Sequence, residues 1–217
     1  GNTPLLSFLQ KNFDKKSIQT LIDLGADCRI QNLEGSSPLH LVSKSLVYHN
    51  DFDEIIEIIL KGGANVNVQD CYGNTPIHYA VNEESATDMK GIRKLLLAGA
   101  NLNITNSLGV APLHIVCKSG ASFLAKTLLD FGADVNQKDG SGQTPLHIAQ
   151  AANENASSVC RVLVENGADI GRKKLLQCHT ICHYEFEYLP FHDRTQGAPY
   201  SQWTMQFKQE RENFARS

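Results

Sequence analysis

The residues in this sequence that are best suited to chemistry are histidines that recur at long intervals. Each stands last in a tetrapeptide with Pro second and Leu or Ile third, and the four are His40, His78, His114 and His147. An imidazole can exchange protons near neutral pH or bind a metal ion. One histidine in every 33 to 38 residues, without a carboxylate partner at a fixed distance, predicts neither a shared metal site nor an acid–base pair. We predict that each ring bonds to nearby backbone and hydroxyl groups and ties one unit to the next.

A second group of candidate ligands comes late in the chain, at Cys178, His179, Cys182 and His183. On a single helix these side chains lie on adjacent stripes, where four ligands reach one zinc ion only with strain. The two cysteines also have three residues between them, whereas zinc sites typically use Cys-x-x-Cys spacing. We therefore predict no metal and assign these residues to a terminal cap, with a zinc site as the alternative.

The sequence contains no motif that indicates catalysis or a cofactor. It has no serine in a Gly-flanked elbow, no Gly-rich phosphate loop ending in Lys-Ser or Lys-Thr, and no His-Glu-x-x-His. We predict that the chain is not an enzyme. Its six cysteines are scattered, and Cys117 and Cys160 fall at positions suited to small buried side chains. This pattern favours a reducing compartment, the cytoplasm or the nucleus.

Composition excludes two further classes of partner. The 217 residues carry 20 basic and 23 acidic side chains, a net charge of −3, whereas nucleic-acid binders usually have a basic surplus. No apolar run reaches the ~18 residues of a membrane-spanning helix, so we expect no membrane insertion. We expect a monomer, and the absence of an initiator Met suggests a piece of a longer protein.

The elements that position these residues follow from an internal repeat. Every Gly-Ala pair that precedes a complete tetrapeptide has its glycine 13 residues before the tetrapeptide proline, which gives Gly25 and Pro38, Gly63 and Pro76, Gly99 and Pro112, and Gly132 and Pro145. Ser or Thr before Pro predicts the start of a first helix. Apolar triads seven, four and three residues before the Gly-Ala glycine predict a second helix, which this glycine ends. Asp or Asn three residues before another Gly predicts a hairpin turn that links successive units.

These motifs resemble the ankyrin repeat family, whose unit is about 33 residues long with a T-P-L-H-x-A pattern. The resemblance implies an all-α solenoid of stacked helix-turn-helix units with short β-hairpin links. It covers residues 1–171 as five repeats, the first truncated at its start. Leu6 replaces the first histidine, and Ala111 replaces the capping Thr. Extra residues lie between the paired helices, within 43–54 and 82–91.

Residues 172–217 differ from the repeats in composition. They hold 8 of the 16 aromatic residues, and no sixth consensus tetrapeptide follows Gly167. We predict a degenerate C-terminal cap with an aromatic-rich tail, because the last repeat of a stack must cover its apolar face. The alternative is a partner-docking helix, whose aromatic face would be formed by Tyr200, Trp203, Phe207 and Phe214.

The predicted function is that of a protein–protein interaction scaffold or adaptor that binds a partner through hairpin tips and the concave helix face. The alternative is a regulatory or targeting segment of a larger enzyme, channel or ubiquitin-ligase adaptor. The resemblance implies a partner-binding set of Leu33, Glu34, Ser36, Cys71, Tyr72, Asn74, Ser107, Leu108, Val110, Ser141 and Gln143. It also implies a groove floor of Lys44, Asn82, Glu83, Lys118 and Ser119. We expect Tyr72 to be an anchor, because interfaces favour aromatic side chains at their centre, and the alternative is a ring that packs on its neighbouring hairpin.

Overall fold

The computed structural model describes residues 1–45, 52–82, 89–152 and 156–170. Residues Gly1–Asp169 form one compact unit. The predicted cap and tail of residues 172–217, including the Cys-His group at 178–183, lie outside the described residues, as does Glu83.

Ten helices form five successive pairs in the part of the chain that the structure describes. The first helices of the pairs are α1 (Pro4–Leu9), α3 (Pro38–Lys44), α5 (Pro76–Ala80), α7 (Pro112–Ser119) and α9 (Pro145–Ala151). The second helices are α2 (Lys15–Asp23), α4 (Phe52–Lys61), α6 (Met89–Leu97), α8 (Ser122–Asp130) and α10 (Ala156–Glu165). First helices pack on first helices and second helices on second helices, so the pairs stack in two layers. The all-α repeat fold is confirmed.

Each first helix begins at the tetrapeptide proline, as predicted. The Ser37 hydroxyl accepts a hydrogen bond from the His40 backbone N–H at 3.4 Å, and the Thr3 hydroxyl accepts one from Leu6 N–H at 3.3 Å. At Thr75 the hydroxyl lies instead 2.8 Å from Nδ1 of His78. At this position the hydroxyl bonds to the imidazole, and the His78 N–H donates to the Thr75 carbonyl at 3.0 Å.

Each second helix ends at a Gly-Ala pair, and Gly99 shows why glycine stands there. Its φ is 85°, in the left-handed region that residues with a Cβ rarely adopt. Its N–H donates to the carbonyl of Leu96 at 3.0 Å, and the next N–H, of Ala100, donates to that of Leu95 at 3.1 Å. These two bonds satisfy carbonyls at the helix end.

Tight turns link the units, and each is closed by the side chain of its Asn or Asp. The Asn32 Oδ1 atom accepts from the N–H groups of Glu34 and Ser36 at 3.0 and 2.9 Å, and Asn32 N–H donates to the Ser36 carbonyl at 3.1 Å. Asp70, Asn106 and Asp139 repeat this arrangement. Within the described ranges these hairpins contain no strand. The two arms of each hairpin are joined by the main chains of one residue pair, such as Asn32 and Ser36, and not by the ladder of hydrogen bonds that defines a strand.

The core lies between the two layers. The residue after each tetrapeptide proline, from Leu5 through Leu39, Ile77 and Leu113 to Leu146, is at most 3 % exposed. The residue seven before each Gly-Ala glycine is also buried, namely Ile18, Ile56, Ile92, Ala125 and Cys160. The sequence pattern missed a second buried position one residue earlier, occupied by Ile55, Leu124 and Val159. No helix within the described ranges combines the length and apolarity that a membrane crossing needs.

Candidate functional site

The four hairpin tips, residues 32–36, 70–74, 106–110 and 139–143, are joined main chain to main chain. Cys71 N–H donates to the Glu34 carbonyl at 2.9 Å, and Ser107 N–H donates to the Tyr72 carbonyl at 2.9 Å. Gly140 N–H continues the series to the next carbonyl, that of Leu108, at 3.0 Å. The tips therefore form one continuous row rather than four independent loops.

Large apolar side chains project from three successive tips. Leu33 is 89 % exposed, Tyr72 64 % and Leu108 74 %. The other predicted tip residues that are exposed are Glu34, Cys71, Ser107, Ser141 and Gln143. Exposed apolar side chains in a series contribute little to the core, and such patches occur where proteins bind partners.

Ser36 corrects one of the predicted binding positions. It was expected on the exposed tip, but it is only 1 % exposed. Its N–H donates to Asn32 Oδ1, as the equivalent N–H groups of the other tips do, and its hydroxyl, on a short side chain, accepts from Lys44 Nζ of α3 at 3.4 Å. Asn74 and Val110, the equivalent residues of the next two repeats, are half-buried. The carbonyls of Asn74 and Val110 accept hydrogen bonds from histidine rings.

A polar cluster behind the second tip was not anticipated from the sequence. Tyr79 of α5 donates its hydroxyl to Asp70 Oδ2 at 2.5 Å and accepts from Asn74 Nδ2 at 3.2 Å. Lys44 Nζ of the preceding repeat lies 4.3 Å from the centre of the Tyr79 ring. Burial and then the bond to Asp70 raise the pKa of Tyr79 to about 12. The phenol is therefore a permanent hydrogen-bond donor that fixes the hairpin on its helix.

The side of the first-layer helices nearest the tips combines apolar and cationic residues. The residue three after the tetrapeptide proline is half-buried in four repeats, at Leu41, Tyr79, Ile115 and Ile148. The predicted floor residues Lys44, Asn82, Lys118 and Ser119 are exposed at or just past the ends of these helices. We call this surface, formed by the four half-buried residues with Lys44 and Lys118, the first-layer face.

The repeated histidines are bonded through their ring nitrogens. Nδ1 of His40 accepts from the Ser37 N–H at 3.1 Å, and its Nε2 donates to the Asn74 carbonyl of the next repeat at 2.9 Å. His114 keeps the same Nδ1 bond to Ala111 N–H at 3.1 Å, although Ala111 has no hydroxyl. The tautomer follows, since the atom facing an N–H must accept and the atom facing a carbonyl must donate. The predicted structural role of these rings is seen directly in these bonds.

Nothing in the described ranges groups three or more His, Cys, Asp or Glu side chains around a point where a metal ion could bind. Cys28 and Cys117 are free thiols in the core, and burial raises the pKa of both. Cys160 is also buried in the core. A buried thiol with a raised pKa is a poor nucleophile.

The second-layer helices carry charges that pair with one another. Glu57 of α4 accepts from Lys61 at 2.8 Å and also bonds to Lys94 of α6. These hydrogen bonds, from Lys61 first and Lys94 second, lower the pKa of Glu57 to about 2. Lys15 of α2 pairs in the same way with Glu54 of α4. Side chains at this surface thus link neighbouring repeats.

A second row of side chains that link neighbouring repeats was not predicted from the sequence. The amide of Asn67 donates from Nδ2 to the Gly99 carbonyl at 3.1 Å and accepts at Oδ1 from Asn101 N–H at 2.7 Å. Asn103 and Asn136, which stand at the same distance after their Gly-Ala glycines, make the same two bonds to the next repeat. The recurrence of Asn four residues after the glycine was the available signal.

Comparison with known proteins agrees with this architecture. A family described as ankyrin repeats (3 copies) matches residues 5–90 and 85–174. The chain is also 45 % identical over 54 residues to the ADP-ribosylation factor GTPase-activating protein AGD2 of Arabidopsis thaliana, a match that covers 25 % of this chain and 7 % of that protein. Ankyrin repeats are generally protein-interaction modules, and their fold is typically non-catalytic. Stacked helix pairs, the tetrapeptide histidines and the family match together show that this chain belongs to the ankyrin repeat family.

Proposed function

We propose that this chain is an interaction scaffold that binds a protein partner through its hairpin tips and first-layer face. One observation carries the proposal: Leu33, Tyr72 and Leu108 are largely exposed in three successive tips that main-chain bonds hold in a row. The proposed tip surface keeps the predicted set without the buried Ser36, namely Leu33, Glu34, Cys71, Tyr72, Asn74, Ser107, Leu108, Val110, Ser141 and Gln143.

Tyr72 is the proposed anchor of this surface. Its N–H donates to Asp70 Oδ1 at 3.0 Å, and its carbonyl accepts from Ser107 N–H at 2.9 Å, so its main chain is held on both sides. A ring on a fixed main chain loses little conformational freedom when it binds, which favours affinity. Tyrosine is frequent among the few interface residues that contribute most of the binding free energy.

The rest of the proposal concerns the compartment, the oligomeric state and the roles of the two parts of the chain. We propose that the chain acts in the cytoplasm or nucleus as a monomer, since free thiols such as Cys28 and Cys117 persist where the compartment is reducing. Residues 1–171 act as the binding module and residues 172–217 as its cap and tail. The module itself has no catalytic role, because its histidines are committed to structural bonds.

A regulatory or targeting segment of a larger protein is the second candidate. The relative from Arabidopsis is named as a GTPase-activating protein, and the matched stretch is 7 % of its length. In that relative, the stretch that is similar to this chain is a small part of a much longer protein. Sequencing the complete reading frame tests this candidate: a catalytic or membrane domain on the same chain supports it, and further repeats alone contradict it.

A pull-down tests the scaffold directly. The 217-residue chain is immobilised beside an apolar variant of the tips, Tyr72→Ala/Leu108→Ala, and a second-layer control, Leu97→Ala/Phe123→Ala, which truncates side chains of similar exposure. We expect proteins captured by the original chain and by the control to be lost with the apolar variant. Equal capture by all three chains contradicts binding through the apolar tips.

A further inference from the structure

The first-layer helices differ from the rest of the unit in charge. The five helices α1, α3, α5, α7 and α9 contain no Asp or Glu, and their charged side chains are Lys44 and Lys118. Both lysines are exposed at the ends of their helices. The first-layer face is therefore cationic although the whole chain has a net charge of −3.

Within the described ranges, no ion pair joins either lysine to a carboxylate. Lys44 Nζ contacts the Ser36 hydroxyl at 3.4 Å and the ring of Tyr79, and neither contact neutralises its charge. Neither Lys44 nor Lys118 takes part in an ion pair with the described residues, whereas Lys61, Lys94 and Lys126 of the second layer each do. An ammonium group without an internal counter-ion remains available to an anionic partner.

Two carboxylates of the hairpin tips are held by hydrogen bonds within their own hairpins. Asp70 is 7 % exposed and receives bonds from Tyr79 and from two backbone N–H groups. Asp139 Oδ1 accepts from the N–H groups of Ser141 and Gln143, both at 2.8 Å. Among the residues of the four tips, Glu34 is the one exposed carboxylate.

Apolar positions accompany the two lysines along the stack. Leu41 stands three residues before Lys44, and Ile115 three residues before Lys118, so each pair shares one side of its helix. Tyr79 lies between them in the intermediate repeat and contacts Lys44 directly. Ile148 extends the half-buried apolar series into the last pair.

From this arrangement we infer that the first-layer face binds an acidic peptide segment that also carries apolar side chains. The carboxylates of the segment pair with Lys44 and Lys118, and its apolar side chains cover Leu41, Tyr79, Ile115 and Ile148. This inference rests on the proposed scaffold function and adds the chemistry of the partner. It differs from tip binding, because the contacts are on the helices rather than on Tyr72 and Leu108.

Three fluorescein-labelled synthetic peptides test the inference by fluorescence anisotropy on the 217-residue chain. The first alternates Glu with Leu and Phe, the second has Lys for every Glu, and the third has Ser for every Leu and Phe. We expect the first peptide to bind at least about tenfold more tightly than either of the others, with affinity that falls as salt is raised. Equal binding of the Lys peptide, or no binding of the Glu peptide, overturns the inference.

Charge-reversed variants locate the site. Lys44→Glu/Lys118→Glu is expected to weaken binding of the Glu peptide at least about tenfold. Lys16→Glu/Arg93→Glu, which makes the same charge change at exposed second-layer positions, is expected to leave the affinity unchanged. The milder pair Lys44→Gln/Lys118→Gln removes the two charges without reversing them, and we expect an intermediate loss of affinity for the Glu peptide. It serves as the test if Glu at a helix end impairs folding. Unchanged affinity in the Gln pair overturns the inference.

The two proposals fail in distinguishable ways. If none of the peptides binds but Tyr72→Ala/Leu108→Ala still abolishes capture in the pull-down, the scaffold stands and the acidic partner is wrong. If the Glu peptide binds through Lys44 and Lys118 while Tyr72→Ala/Leu108→Ala captures the same proteins as the original chain, the helices rather than the tips form the binding site.

Discussion

His78 Nε2 donates a hydrogen bond to the carbonyl oxygen of Val110 at 3.1 Å, across 32 residues of sequence and into the next repeat. On its other side, Nδ1 of the same ring accepts from Thr75 N–H at 3.1 Å. The ring is 1 % exposed, so both partners are shielded from water. One neutral imidazole therefore closes the start of its own helix and binds the following hairpin.

Removing this ring should destabilise the unit. His78→Ala leaves Thr75 N–H and the Val110 carbonyl without these bonds in a buried place, and we expect a loss of about 2–4 kcal/mol in the free energy of unfolding. His147→Ala is the matched comparison, since His147 is half-buried, and should cost less than half as much. Urea unfolding followed by circular dichroism measures both. Equal losses would show that burial does not set the cost.

Stability should fall in mildly acidic solution because of the same rings. Burial lowers the pKa of His78 from 6.5 to about 4 and also lowers the pKa of His40. The unfolded chain therefore binds protons that the folded chain does not, and stability present above pH 6.5 is lost as the pH falls towards 4. For His78 alone the loss is on the order of 3 kcal/mol over that window.

Unfolding at a series of pH values checks this expectation. His78→Gln removes the titrating group, so its free energy of unfolding should depend less steeply on pH between 4 and 6.5 than that of the original chain. An identical slope in the two proteins would assign the acid sensitivity to other groups.

The first repeat offers a stabilising substitution. Arg29 stands four residues after Gly25, where Asn67, Asn103 and Asn136 of later repeats bond to the next unit. Arg29→Asn should supply the missing bonds to the Gly63 carbonyl and Asn65 N–H and raise the free energy of unfolding by about 1 kcal/mol. The Arg29–Asp27 pair that is lost is exposed at the surface and contributes little.

Thermal or urea unfolding of Arg29→Asn provides the measurement, with Asn103→Ala as its counterpart. The counterpart should lose about as much stability as the first variant gains. A loss of stability in Arg29→Asn would mean that the first repeat does not align with the others at this position.

Tyr72→Ala separates binding from folding. We expect partner binding to weaken by about 1–3 kcal/mol, because an exposed anchor ring is lost, while the melting temperature stays nearly unchanged. Titration calorimetry with a partner isolated in the pull-down measures the first quantity, and a thermal melt the second. A fall in melting temperature comparable to the loss of binding would instead make the ring structural.

Prediction from sequence succeeded where one residue type has one physical reason to be present. Pro38 marks the start of its helix because proline costs no hydrogen bond there, and Gly99 marks a helix end because its φ is positive. It failed at Ser36, since counting residues from Gly35 cannot show that the Ser36 hydroxyl meets Lys44 of the following helix. The roles of residues 172–217 stay predictions.

By itself, the sequence determined the repeat, the helix pairs and the structural role of the histidines, because local hydrogen bonding and apolar spacing recur in every unit. Only the tertiary structure decided which side chains meet between units. Tyr79 lies under Lys44 of the preceding repeat because of the way one repeat packs on the next. Contacts of this kind depend on distances between residues far apart in the chain, which no local pattern encodes.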